Sequence, residues 1–162
     1  MSVPTPPDDV GAPPTTFQRF ALDPRLQQTV AELGFTTPTP IQEGAIGPLL
    51  EGRDVVGRAR TGSGKTAAFG LPLLQQALAD APQPQAVQTL VLAPTRELAL
   101  QVTEALRAYA AGVSVRMLTV YGGAPYGPQV HALRRGVDVV VGTPGRLLDL
   151  EQSKTLRFDD IA

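Results

Sequence analysis

The sequence has no cysteine, so it can form no disulfide and offers no thiolate to a metal. That suits the reducing cytosol, and a cytoplasmic location is expected. There is one histidine, His131, and there are two lysines, Lys65 and Lys154, in a chain that otherwise uses arginine. His131 falls on a helical stretch beside Arg134 and Arg135, with no nucleophile or carboxylate constellation around it, and reads as part of a solvated face. Net charge is −1, so no bulk positive field advertises a polyanionic partner. Any such partner must be held by local arginines and backbone N–H groups. No apolar run approaches the length of a membrane span, and residues 1–16 lack the charged-then-apolar pattern of a secretory signal. No internal repeat is present, and 162 residues suit one ordinary domain with its own core.

What is present is organised around Ala59-Arg60-Thr61-Gly62-Ser63-Gly64-Lys65-Thr66. This stretch lies between an apolar run, Asp54-Val55-Val56-Gly57, and a helical pattern from Ala67 to Ala79, so strand, glycine loop and helix are expected in that order. That is the context of a phosphate-cradling P-loop. Gly62 and Gly64 let the backbone turn with its N–H groups inward, and the helix N-terminus adds partial positive charge at the same point. Lys65 then reaches the β/γ-phosphates, and the Thr66 hydroxyl ligates a Mg²⁺ ion that the phosphates also hold. The competing reading is a glycine-rich turn that only caps a helix.

Elsewhere, residues 1–16 are proline-rich, carry Asp8-Asp9 and have almost nothing large and apolar, the composition of a disordered tail. Asp23-Pro24 and Thr39-Pro40 each open a helix, the first ending at Gly34 and the second at Gly52. Pro72 is expected to kink or shorten the helix after the loop. A linker is expected at residues 81–85. Strands are expected at 89–93, 113–120 and 137–141, with helices from Thr95 to Gly112 and from about Pro125 to Arg135. Alternating strands and helices argue for an α/β fold, a parallel sheet with helices on both faces.

A P-loop implies a nucleotide without saying what work it does. Gly34-Phe35-Thr36-Thr37-Pro38-Thr39-Pro40-Ile41-Gln42 precedes it, and Phe17 lies upstream. The Gln42 amide, one donor and one acceptor, complements adenine N6 and N7, whereas guanine offers two acceptors on that edge. An aromatic such as Phe17 can pack on the base. Taken alone, Gln42 also reads as an ordinary exposed helix residue.

Together these residues resemble the Q motif of DEAD-box RNA helicases, and Ala59 to Thr66 resembles their motif I, which normally opens with alanine. Pro94-Thr95-Arg96-Glu97-Leu98-Ala99 is similar to motif Ia, Gly122-Gly123 to the paired-glycine motif, and Thr143-Pro144-Gly145-Arg146 to motif Ib. All stand in family order across residues 17–146. The resemblance implies a RecA-like P-loop NTPase domain that uses ATP and Mg²⁺, with Phe17, Thr37, Gln42 and residues 59–66 on the nucleotide side and Lys65 and Thr66 catalytic. It implies a complete protein with two RecA-like domains that separates short RNA duplexes. The expected layout is a 1–16 tail, a Q-motif helical segment at 17–52 and a partial RecA-like domain at 53–162.

The RNA-side motifs also make physical sense unaided. Thr95 and Thr143 each follow a strand and cap a helix, so N–H groups emerge at the carboxyl edge of the sheet. Arg96 and Arg146 add charge-assisted hydrogen bonds to phosphate, and Gly122-Gly123 admits a close backbone. Such contacts would hold an RNA backbone without reading its bases; the competing reading is that these residues are caps and turns only, with Arg96 and Arg146 in structural ion pairs.

No apolar run ends in Asp or Glu, the carboxylate that would help hold Mg²⁺ and position water. In the family that motif follows on a strand that this chain starts at Ile161-Ala162. The expectation is therefore an incomplete domain, truncated before the Asp-Glu-Ala-Asp motif and inactive alone, with a required second RecA-like domain absent. The alternatives are a non-catalytic chain that binds nucleotide or RNA weakly, and another P-loop NTPase such as a kinase or GTPase.

Overall fold

The computed structural model describes residues 16–79, 87–159 and 161. The proline-rich stretch 1–15 and the expected linker at 81–85 lie outside them. After a short turn of 3-10 helix at Phe17–Arg19 come α1 (Pro24–Glu32), α2 (Pro40–Leu50), α3 (Lys65–Ala79), β1 (Thr89–Leu92), α4 (Arg96–Tyr109), β2 (Met117–Val120), α5 (Tyr126–Arg135), β3 (Val139–Gly142) and α6 (Pro144–Gln152).

The helices begin where their capping chemistry directs. Asp23 accepts a hydrogen bond from the Arg25 N–H, with Pro24 at the first helical position of α1. Thr95 caps α4 by accepting from the Leu98 N–H at 3.2 Å. At α6 the Thr143 side chain makes no capping bond, contrary to the expectation. Pro144 at the first turn presets the helical φ there and has no N–H to satisfy.

The three strands are parallel in the order β1-β3-β2, with Val139 level with Thr89 on one side and Met117 on the other. Such a sheet must be covered on both faces, and β3 shows how. Val139 and Val141 join a cluster with Leu26, Leu71, Leu74 and Leu106 from α1, α3 and α4. Val140 points the other way, into a cluster with Leu133, Leu147 and Leu150 from α5 and α6. All three valines are fully buried.

The expected strand at 113–120 is confined to Met117–Val120, and other elements depart further. Residues 53–60 form no strand, and Val56 is 95% exposed. A strand exists only by pairing its backbone groups. Here a cavity of about 560 Å³, lined by Val55 and Gly57 together with Leu90, Val91 and Leu92, stands where the pairing would be. Pro72 does not shorten α3, which runs on to Ala79. Pro72 is itself buried between Leu71 and Leu74, both 0% exposed, so packing offsets the missing hydrogen bond.

The ends of β2 and β3 opposite the site are fastened by one ion pair. Asp138 accepts from the Arg116 backbone N–H at 2.7 Å and from its guanidinium at 2.5 and 3.1 Å. Burial alone would raise the Asp138 carboxyl, but the Arg116 side-chain and backbone bonds outweigh it and hold the pKa below its ordinary value. Gly136, at φ 94°, leaves room for that guanidinium, which an added Cβ would strike.

Candidate functional site

Two groups of predicted residues are assembled by the fold. The first is the glycine loop. Gly62 and Gly64 both have positive φ, 78° and 87°, which curl the chain into a nest that opens α3 at Lys65. The Lys65 ammonium lies inside the curl and donates to the Ala59 carbonyl at 2.6 Å and the Arg60 carbonyl at 2.9 Å. Thr66, half-buried, follows on the first turn of α3.

The loop is held from α2. The Thr39 hydroxyl donates to the Ser63 carbonyl at 2.8 Å, and Gln42 Nε2 donates to the Gly64 carbonyl at 3.2 Å. Gln42 Oε1 accepts from the Thr39 N–H at 2.9 Å, which closes the start of α2. Gln42 is only 5% exposed, so it is not the ordinary surface residue of the competing reading. The approach is so close that a Cβ at Gly64 would collide with the Gln42 amide. Thr37 is exposed nearby in sequence. Phe17 is 4% exposed, its ring in contact with Phe20 and Phe35 at centroid separations of 6.0 and 6.1 Å. Packing on a base would require that aromatic cluster to open.

The loop's chemistry suits a polyphosphate. Its N–H groups, the α3 N-terminus and the ammonium all favour an anion, and Ser63 Oγ is buried with no hydrogen-bond partner, a polar atom still to be satisfied. For a metal, Thr66 would offer one hydroxyl. Among the described residues no group of three or more His, Asp or Glu stands ready to hold an ion. The remaining ligands would come from phosphate oxygens and water, the usual habit of Mg²⁺.

The second group lies along the carboxyl edge of the sheet. Because the strands are parallel, the segments leaving β1 (Pro94, Thr95, Arg96), β2 (Gly122, Gly123) and β3 (Thr143, Pro144, Gly145, Arg146) emerge on one side. The strand order puts the β3 segment between the other two. Pro94, Thr95, Arg96, Gly122, Gly123, Pro144 and Gly145 are exposed, and Gly123 adopts φ 84°. Arg96 lies over the Tyr121 ring, 4.8 Å from its centroid. Arg146 is more enclosed: its guanidinium donates to the Ala124 carbonyl at 3.1 Å and Gln129 Oε1 at 3.3 Å, and stands 5.4 Å from the Tyr126 ring.

Tyr121, Tyr126 and Gln129 are absent from the sequence-based site. Only Tyr121 carried a signal, its position next to the paired glycines. His131 is exposed on α5, as expected.

A glycine loop opening a helix beside a parallel α/β sheet defines the class, a P-loop nucleotide-binding domain. The DEAD/DEAH box helicase family model matches residues 39–161, and the chain belongs to that family. It is 45% identical over 147 residues to the ATP-dependent RNA helicase CshA of Listeria monocytogenes, an alignment covering 91% of this chain and 28% of that relative. Among solved structures, it superposes on a DEAD box protein from the hyperthermophile Methanococcus jannaschii with TM-score 0.82 and 34% identity, covering 90% of this chain and 39% of the other. A hypothetical ATP-dependent RNA helicase from Sulfolobus tokodaii gives TM-score 0.74 and 38% identity, over 83% and 38% of the two chains. The fold is thus RecA-like α/β, and the chain spans between about a quarter and two-fifths of the relatives it matches. No helix among the described residues is long and apolar enough to cross a membrane.

Proposed function

We propose that these residues are the ATP- and RNA-binding front part of an ATP-dependent RNA helicase. The observation that carries the reading is the loop clamped by α2: Thr39 and Gln42 bond the carbonyls of Ser63 and Gly64, coupling the base-reading side chain to the phosphate nest. The loop N–H groups and Lys65 hold the β/γ-phosphates, exchanging the Ala59 and Arg60 carbonyls for phosphate oxygens. Thr66 supplies a hydroxyl to Mg²⁺. When bound, the ion and phosphates supply the charge neutralisation and the scissile bond that phosphoryl transfer requires. Gln42 retains one N–H and one lone pair beyond its present bonds, enough to meet adenine N7 and N6 but not the two acceptors of guanine.

Along the carboxyl edge, Thr95, Arg96, Gly122, Gly123, Thr143 and Arg146 hold an RNA backbone independently of sequence. The three described strands end in Leu92, Val120 and Gly142, none of them acidic. The carboxylate that positions water therefore comes from a strand outside the described residues, and the second RecA-like domain from outside them too.

The test is RNA-stimulated ATP hydrolysis by the helicase containing these residues. Lys65→Ala should lower it by roughly a hundredfold, the scale of losing one preorganised charge-stabilising donor. Full activity in that variant would refute the phosphate role.

A further inference from the structure

The two arginines on the carboxyl edge are not held alike, and the difference assigns work to a residue outside the motifs. Arg146 is fixed by hydrogen bonds to Ala124 and Gln129 and by a 3.8 Å approach of its Nε to Asp149. Arg96 is exposed on the first turn of α4, and a long side chain there has much rotamer freedom to lose on meeting a phosphate. What restrains it is the face of Tyr121, 4.8 Å away. Tyr121 is half-buried, and its own carbonyl accepts from Gln129 Nε2 at 3.3 Å. Gln129, 6% exposed, accepts from Arg146 through its other amide atom. A continuous chain of contacts thus runs from Arg96 through Tyr121 and Gln129 to Arg146.

We propose that Tyr121 is a positioning residue that holds Arg96 in register with Arg146 for successive phosphates of one strand. Its ring supplies a π-face that a planar guanidinium stacks on, leaving the N–H edge directed outward. The Gln129 amide sets the backbone from which that ring projects. The inference rests on the RNA reading of this edge.

The experiment is fluorescence anisotropy of a single-stranded homopolymer RNA with the helicase containing these residues, over a range of salt. Arg96→Ala should weaken binding and lower the slope of log affinity against log salt by about one. Tyr121→Leu should weaken binding about two- to fivefold, the scale of an exposed cation–π contact, and Tyr121→Phe should retain wild-type affinity because the face survives. In an Arg96→Ala background the Tyr121→Leu loss should vanish. By NMR, the ring-current shift of the Arg96 Nε–H should disappear in Tyr121→Leu and persist in Tyr121→Phe. If Tyr121→Leu melts early, Tyr121→Met, which keeps bulk without a π-face, takes its place. An Arg96→Ala loss with no Tyr121→Leu loss, or a Tyr121→Leu loss undiminished without Arg96, overturns the positioning role and leaves the RNA reading standing. No RNA binding by the unsubstituted helicase, or none lost in Arg96→Ala, overturns both.

Discussion

The two sides of β1 differ sharply. Towards β3 and β2, each strand residue is paired, and the central strand β3 is packed on both faces by fully buried valines. Towards the glycine loop, residues 53–60 pair with no strand and a cavity lies between them and β1. Yet the loop keeps its positive-φ glycines and its internal lysine bonds. Its geometry is therefore carried by α2 and α3, through Thr39 and Gln42, and not by a sheet strand leading into it. The arginine edge has the opposite dependence, since only the pairing of β1, β3 and β2 brings its three segments together.

Substitutions can break or sharpen that contrast. The largest effect should come from Leu106→Ala on α4, which is 0% exposed in the main cluster. Removing it should cost about 2–5 kcal/mol in equilibrium unfolding, and a loss under 1 kcal/mol would mean the paired side is not the stable one. Asp138→Asn comes next. It removes the charge from the buried partner of Arg116, whose own side chain is 45% exposed and so regains water, and should cost about 0.5–1.5 kcal/mol near neutral pH. Because the folded carboxyl lies below its unfolded value, its stabilisation is complete above the ordinary carboxylate pKa and lost as pH falls through the depressed one. Wild type should therefore lose stability on acidification more steeply than Asp138→Asn, and parallel pH curves would refute the pairing. Smallest is Val56→Ser: at 95% exposure it should change stability by no more than about 0.5 kcal/mol. A loss comparable to Leu106→Ala would show that the segment is packed in solution.

Most of the architecture was legible because it is local. Asp23-Pro24, Thr39-Pro40 and Thr95 announce three helix starts through their own side chains, and Thr89-Leu90-Val91-Leu92 announces a strand by its continuous apolar run, although that run is only half-buried and Leu92 is 63% exposed. The glycine loop was equally legible, since its positive φ values need glycine at those positions. What escaped were features that depend on distant partners. Asp54 to Gly57 has a strand's composition but no neighbour to pair with, and composition cannot report a neighbour. Pro72 breaks a helix taken alone and is tolerated in a packed one. Both amide atoms of Gln42 are engaged, one by a loop 22 residues away, and Phe17 is enclosed by Phe20 and Phe35. The Tyr121 and Gln129 contacts join segments separated by a strand crossing and leave no periodic trace.

The three valines of β3 have a consequence for timescale. Their backbone groups lie on the one described strand that is paired on both sides, and their side chains anchor opposite clusters. No local fraying can bare those amides without dismantling both layers. In deuterium oxide, the N–H groups of Val139, Val140 and Val141 should therefore be the last to exchange, at a rate set by opening of the whole domain, while residues 54–60 exchange almost at once.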